Sequence, residues 1–438
     1  MSTVPAPAEA MAATQPARER SPFQAGWALA LLTLVFGFNQ LDRGIVAILL
    51  ESIKAEMHLS DTVLGLMTGL GFSLVYFLTA FPLGRLADRT NRIRIISVGL
   101  IFYSMMAAVM GFAQSVYQLI ACRSLVAVGE ASGNAPSNAV IGDLYPHAKR
   151  SRAIAIWSGG SYLGLFVGLT AGGWIHAHYG WRAALLITAS PGVLIGLLLL
   201  LTVRDPARGS AEPSAREHKS ASLAETARLL LSQRSYVMLV IAMMLATFTA
   251  YSLQAWVPSY LSRVRHLDKA SIGFYAGVFK GLVGLLGILA GGFLTHQLIK
   301  RRPHLLGAVP VVSCLLLPFA MMTFLHSSDM TISLGALAFA GFLIPAYTAP
   351  GFTILHSVIP PSARAFATTV LLAVASLVGL GLGPLVVGFL SDRFAPWAGS
   401  DSLRYALIFP GLIPFLTAFF FYLSARFLAE DAKRMPTL

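Results

Sequence analysis

Asp42 and Arg43 stand side by side in an apolar run, AGWALALLTLVFGFNQLDRGIVAILL at 25–50, that as a helix is long enough to cross a hydrocarbon core of about 30 Å. Holding charge there costs about 2.5–3.5 kcal/mol per group, so both side chains are expected to face protein or a wet cavity. A second acid and base, Arg123 and Glu130, lie in RSLVAVGEAS (123–132). Their separation of nearly two helical turns places them on one face, about 10 Å apart along the axis. Asn134 and Asn138 extend that stripe, and Asn39 shares a face with Arg43. Run antiparallel, the two helices would bring Asp42, Arg43, Arg123 and Glu130 to similar depth. Two acids and two bases form a neutral cluster, the least costly way to keep charge in low dielectric. One added proton leaves it positive. Glu130 or Asp42 would then carry a proton, with Arg43 and Arg123 tuning it and an anionic substrate competing for the arginines. A permanent clasp between the two helices, or substrate binding without proton coupling, would use the same four residues.

The composition says what must position this cluster. Of 438 residues, 56% are hydrophobic and only 12% charged, which indicates an all-α polytopic membrane protein. Apolar runs predict twelve transmembrane helices near 25–50, 62–84, 94–113, 117–142, 153–175, 183–203, 235–260, 271–297, 304–325, 330–358, 363–390 and 403–427. The net charge of +13 does not indicate nucleic acid, because the basic residues sit in short loops between apolar runs. With the N-terminus inside, 22 of the 32 Lys and Arg residues fall on the cytoplasmic side and seven on the other. Both termini are therefore expected in the cytoplasm. The polar stretch 1–24 reads as a disordered cytoplasmic tail, without the apolar segment of a signal peptide, and 428–438 as a second tail. Short loops suggest a bacterial inner membrane protein, and function as a monomer is expected. Cys122 and Cys314 lie in apolar stretches, so no disulfide framework is indicated.

The longest loop, 204–234, divides a six-helix bundle at 25–203 from another at 235–427, and its SLAETARLLLSQR could lie on the membrane as an amphipathic helix. APSNAVIGDLYPHAKRSRA (135–153) aligns without gaps with APGFTILHSVIPPSARAFA (349–367), an offset of 214 that pairs Arg150 with Arg364. Two pseudo-symmetric halves point to an alternating-access transporter. In GRLADRTNRIR (84–94), Asp88 is an acid among bases at a helix end, placed for charge-assisted bonds to a neighbouring inner loop. Asp143 and Arg152 are its expected partners, while Arg92 and Arg94 could serve only as positive-inside anchors. Gly84, Asp88, Arg89, Arg92, Asp143 and Arg152 thus make a candidate cytoplasmic gate.

GRLADRTNR (84–92) resembles the inner-loop motif of the major facilitator superfamily, over a chain whose whole length fits that fold. Within it, NQLDR (39–43), DRTNR (88–92), RSLVAVGEAS (123–132) and VRDPARG (203–209) resemble the spinster family of lipid transporters. The resemblance implies proton-coupled movement of sphingolipids or lysolipids through a cavity with a polar headgroup site. In GLFVGLTAGG (164–173), Leu169 stands where the superfamily usually has proline, so no kink is expected there, while Gly164 and Gly168 permit close helix packing.

In the second half, Lys280 is the one deep charge. It either snorkels to the outer interface or faces the cavity opposite Glu130, offering an ammonium to a phosphate or carboxylate. Tyr251, Gln254 and Trp256, with Tyr347 and Thr348, could line that cavity, although aromatic residues near 256–260 could instead be interfacial anchors. HAH (176–178) has no third ligand, so no metal site is expected, nor any cofactor. The absence of a Gly-Lys-Ser/Thr phosphate loop excludes ATP as the energy source. Three readings remain: a proton-coupled lipid transporter, a proton-coupled carrier of small organic anions, and an uncoupled lipid scramblase or membrane sensor.

Overall fold

The computed structural model describes residues 22–209, 223–302, 305–359 and 363–434. The expected tails and linker lie partly outside these: residues 1–21, 210–222 and 435–438 are not described. Nine helical stretches among the described residues are long and apolar enough to cross a membrane, and two of them, Ala148–Thr202 and Phe366–Leu428, are long enough for two crossings each. A twelfth crossing is broken and carries the cluster's Arg123 and Glu130. The spans are α1 (Pro22–Met57), α2 (Asp61–Thr68 then Leu70–Arg89), α3 (Arg92–Met110) and α4 (Val116–Ala131 then Asn134–Leu144). His147–Thr202 is divided at Gly180 (φ 81°) into α5 (147–179) and α6 (181–202). The second half holds α7 (Arg234–Arg263), α8 (Lys269–Gly277, a π-turn Val278–Leu282, then Val283–Arg301), α9 (Ala308–His326) and α10 (Met330–Ala346 then Thr348–Val358). It is completed by α11 (Arg364–Ser376, a π-turn Leu377–Leu382, then Gly383–Ala398) and α12 (Ser402–Arg434). The short helix Leu223–Ser232 precedes α7, with Leu230 buried and Leu231 exposed.

The repeat in the sequence is a repeat in the backbone. Asn134 and Thr348 occupy the first helical position after the breaks in α4 and α10. His58 and His266, both left-handed at φ 52° and 54°, end α1 and α7 and turn the chain into the next span. Side-chain caps then start several helices: Asn91 accepts from Arg94 N, Asp268 from Ser271 N and Asp329 from Thr331 N. Leu169 continues α5 without interruption to Gly180. On the same helix Gly164 and Gly168 sit against the α1 backbone at Gly37 and Leu41, an approach that no Cβ would allow.

Both ends of α1 through α12 fix a face that carries the described termini, called here the terminal face, and an opposite, far face. The halves meet along three seams. From the far face inward, α2 crosses α11 with Asp61 at Gly388, Gly65 at Pro384 and Gly69 at Gly381. α5 crosses α8 with Gly173 at Gly273, Thr170 at Gly277, Phe166 at Gly281 and Tyr162 at Gly284. α1 meets α7 through Glu51 and Arg263, then Arg43 and Tyr251. Nearer the terminal face, Gly84 and Gly159 have open space around them. The far face is sealed by contacts between the halves.

Candidate functional site

The four charges expected to cluster do meet. Arg43 donates to Glu130 Oε2 from Nε at 3.1 Å and from Nη2 at 2.8 Å, and Arg123 pairs with Asp42. Glu130 is fully buried, with Arg123 3% and Asp42 5% exposed. Both guanidinium groups lie over the ring of Phe72, at 4.4 Å for Arg123 and 5.2 Å for Arg43. That ring presents its negative face to both cations. Asp42 and Arg43 lie at nearly one depth while Arg123 and Glu130 lie almost two turns apart on α4, so the long arginine side chains span the difference.

Around this pair of ion pairs the polar atoms are incompletely matched. Tyr103 donates to Asn39 Oδ1 at 2.8 Å, and Asn134 donates to the Tyr76 hydroxyl at 3.2 Å. Asn39 Nδ2, Arg123 Nε and Glu130 Oε1 are buried without a hydrogen-bond partner among the described residues. Arg43 also reaches across the halves, donating from Nη1 to the Tyr251 hydroxyl at 3.4 Å. A cavity of about 30 Å³ adjoins it, lined by Arg43, Arg123 and Thr68 on one side and Tyr251, Gln254 and Leu380 on the other. The cluster therefore borders the interface between the halves at mid-depth. A charge change at Glu130 can reach the second half through one guanidinium.

The remaining residues named from sequence are placed as follows. Tyr347 is buried and packs on Phe421, with ring centroids 6.0 Å apart, while Thr348 is partly exposed. Trp256 is not interfacial: it is fully buried and donates to the Pro384 carbonyl at 2.8 Å. Lys280 lies in the α8 π-turn and donates to the Leu253 carbonyl at 2.7 Å. Asn138 is exposed and bonds back to the Asn134 carbonyl. His176 meets Ser52 at 2.8 Å and His178 the Trp174 carbonyl at 2.8 Å, so the two imidazoles have separate partners.

At the terminal face, Asp88, Arg89 and Arg152 are exposed, and Gly84 faces open space. Arg92, read from sequence as a possible anchor, is instead 4% exposed and the hub of a network. It pairs with Asp143 at 2.5 Å and Asp205 at 2.9 Å and donates to the Pro206 carbonyl at 2.7 Å. Gly209 N donates to Asp143, and Arg208 to the Ala87 and Thr90 carbonyls. VRDPARG thereby straps the chain leaving α6 to the ends of α2, α3 and α4, and Asp143 is held within the first half.

The far face holds a lock that the sequence reading missed. Arg263 of α7 donates to Asp61 of α2 at 2.6 and 2.9 Å and to Glu51 of α1 at 2.7 Å. Asp61 is 1% exposed and also accepts from Lys54 at 2.6 Å and Ser391 at 2.6 Å. From the second half, Asp392 accepts the free amides of Asp61 and Thr62 at 3.0 and 2.7 Å, capping α2 in trans. A signal is present in the sequence: the bases Lys54 and Arg263 and the acids Glu51, Asp61 and Asp392 all fall near span ends on the same side.

Comparison with known proteins places this geometry. The sequence model of the Major Facilitator Superfamily matches residues 32–377. An "MFS-type efflux pump" of Mycolicibacterium smegmatis is 30% identical over 90% of this chain and 91% of its own. The "Sphingosine-1-phosphate transporter SPNS2" of Xenopus tropicalis is 28% identical over 94% of this chain and 83% of its own. A crystal structure of a bacterial homologue of the human lysosomal transporter spinster, in an inward-facing and unoccupied conformation, superposes with a TM-score of 0.85 at 26% identity, covering 94% of this chain and 99% of that one.

Proposed function

The chain belongs to the major facilitator superfamily, with spinster proteins among its relatives, and from that premise we propose that it is a proton-coupled, alternating-access transporter of lysolipids or sphingolipids. The observation that carries the coupling is Glu130: buried, held by Arg43 through one oxygen, with Oε1 unbonded. A proton placed on Oε1 leaves the contact at Oε2 in place but removes the charge that holds Arg43. Arg43 is then free to take an anionic headgroup, and its bond to Tyr251 makes that exchange felt in the second half. Asp42, neutralised by Arg123 and backed by Phe72, is the second acid of the coupled set. Asn39 and Asn134 hold the tyrosines that flank the cluster, and Gln254 faces the cavity beside Tyr251. Tyr347 and Thr348 belong to the second-half wall.

The excess of basic residues on the terminal face supports cytoplasmic termini and a bacterial inner membrane as the location. In that orientation the far-face lock closes the outside and the cavity opens toward the cytoplasm. When the cytoplasmic side closes instead, the exposed Asp88 and Arg89 are available for the second half, while Arg92, Asp143 and Arg152 with Gly84 shape the surface they close on. A monomer suffices, since both halves of the cavity come from one chain.

The test is uptake into proteoliposomes of a labelled lysophospholipid and a labelled small carboxylate, each with and without a pH gradient. Lysophospholipid uptake that rises with the gradient is expected. Gradient-driven uptake of the carboxylate alone would transfer the assignment to small organic anions, and lipid equilibration indifferent to the gradient would make the protein a scramblase.

A further inference from the structure

Lys280 has no place in the exchange described above, yet its surroundings are specific. Its neighbours in the chain face other helices: Gly281 packs on Phe166 of α5, and the Phe279 carbonyl lies against Gly341 of α10. Lys280 is left directed at α7, where it donates to the Leu253 carbonyl at 2.7 Å. Two residues before Leu253 lies Tyr251, the partner of Arg43, so Lys280 and Arg43 approach one turn of α7 from the two halves. One turn along α8, Tyr162 covers Gly284. Lys280 thus joins a polar layer at mid-depth and does not snorkel to a membrane interface.

Its partner is weak for a part-buried cation. An ammonium has three donors, and among the described residues no carboxylate lies within ion-pair distance of this one. Its one recorded acceptor is a neutral carbonyl, which an anion can displace. The π-turn Val278–Leu282 that carries Lys280 interrupts the regular ladder of α8, and such single turns recur at functional sites. Charge bookkeeping adds a second argument. Asp42, Arg43, Arg123 and Glu130 sum to zero, so with Lys280 the mid-depth layer carries one positive charge before any proton arrives.

We propose that Lys280 is the second-half anchor for the anionic group of the substrate, so that the cavity selects a net-negative amphiphile, bearing a phosphate or carboxylate, over a net-neutral one of the same chain length. This deepens the lipid-transport reading and rests on it for the amphiphile, while the anion requirement rests on Lys280 alone. Binding moves the ammonium from the Leu253 carbonyl to the headgroup, with Arg43 contributing from the first half. The two cations then span the interface through one ligand, which favours the halves closing over it.

The experiment compares lysophosphatidate, net negative, with lysophosphatidylcholine, net neutral, on the same acyl chain in proteoliposomes of wild type, Lys280→Met and Lys280→Arg. Wild type should prefer lysophosphatidate. Lys280→Met should lose about ten- to hundredfold in apparent affinity for it, the loss of one charge-assisted contact, while lysophosphatidylcholine uptake stays within about threefold. Lys280→Arg should keep most of the preference. Equal losses on both lipids, or none on either, overturn the proposal and leave Lys280 as a packing contact between α7 and α8. If wild type moves neither lysolipid, the lipid reading fails separately. Labelled succinate against its diamide then decides the anchor: a Lys280→Met loss confined to succinate supports it, and an equal or absent effect overturns it.

Discussion

Replacing Arg263 with Ala should open the far face. Arg263 is the only described side chain of α7 that bonds both Glu51 and Asp61, and these bonds exist only while the halves are closed on that side. Removing one partner of a buried ion pair costs about 3–5 kcal/mol, because the other is left buried and unmatched. The low end applies here. Asp61 keeps Lys54 at 2.6 Å and Ser391 at 2.6 Å, and the Glu51 side chain, 23% exposed, can hydrate. About 3 kcal/mol against the sealed state is roughly a hundredfold shift toward opening. The reporter is Ala47→Cys, which lines the cavity below the lock, in a chain whose two native cysteines have been replaced. Reaction with a membrane-impermeant thiol reagent added at the far face should accelerate by that factor. Arg263→Lys, keeping one contact, should give roughly tenfold. Labelling unchanged within about twofold would refute the assignment of Arg263 as the lock.

Three other substitutions test separate parts of the structure. A Cβ on Gly65 would come within 2.5 Å of the Pro384 carbonyl oxygen, so Gly65→Val should prevent the α2–α11 seam from closing and raise the same labelling rate about tenfold or more. Arg92→Ala takes the guanidinium from Asp143 and Asp205, and a loss of about 3 kcal/mol should appear as faster hydrogen exchange over residues 203–209 with a lower thermal midpoint in detergent. Unchanged exchange there would mean that the strap is held by Arg208 instead. Trp256→Phe leaves the Pro384 carbonyl without its indole donor and should cost about 1–3 kcal/mol of stability, read as a lower thermal midpoint with seam labelling little changed.

Much of this was legible in the chain. Span count followed from apolar length, and the cluster from the seven-residue spacing of Arg123 and Glu130, because helix geometry fixes depth and direction once two helices are taken as antiparallel. The Ala-Pro repeat pointed to related halves, but nothing in the sequence marked the breaks before Asn134 and Thr348, which lie just ahead of it. What stayed hidden depends on which surfaces meet. Trp256 resembles an interfacial anchor by type and position, and only the proximity of Pro384 makes it core. Arg92 looked like a loop base because its acids come from positions 143 and 205. The far-face lock joins residues 51, 61, 263 and 392 across two half-chains, a pairing that a search within each span cannot find.

The most direct test of the account is proton movement itself. Purified protein in liposomes loaded with a pH-sensitive dye is challenged with lysophospholipid, without an imposed gradient, for wild type, Asp42→Asn and Glu130→Gln. Lipid addition should drive a pH change in wild type, and Glu130→Gln should abolish it while still binding lipid. A substrate-driven pH change that persists in both variants would contradict proton coupling through this cluster.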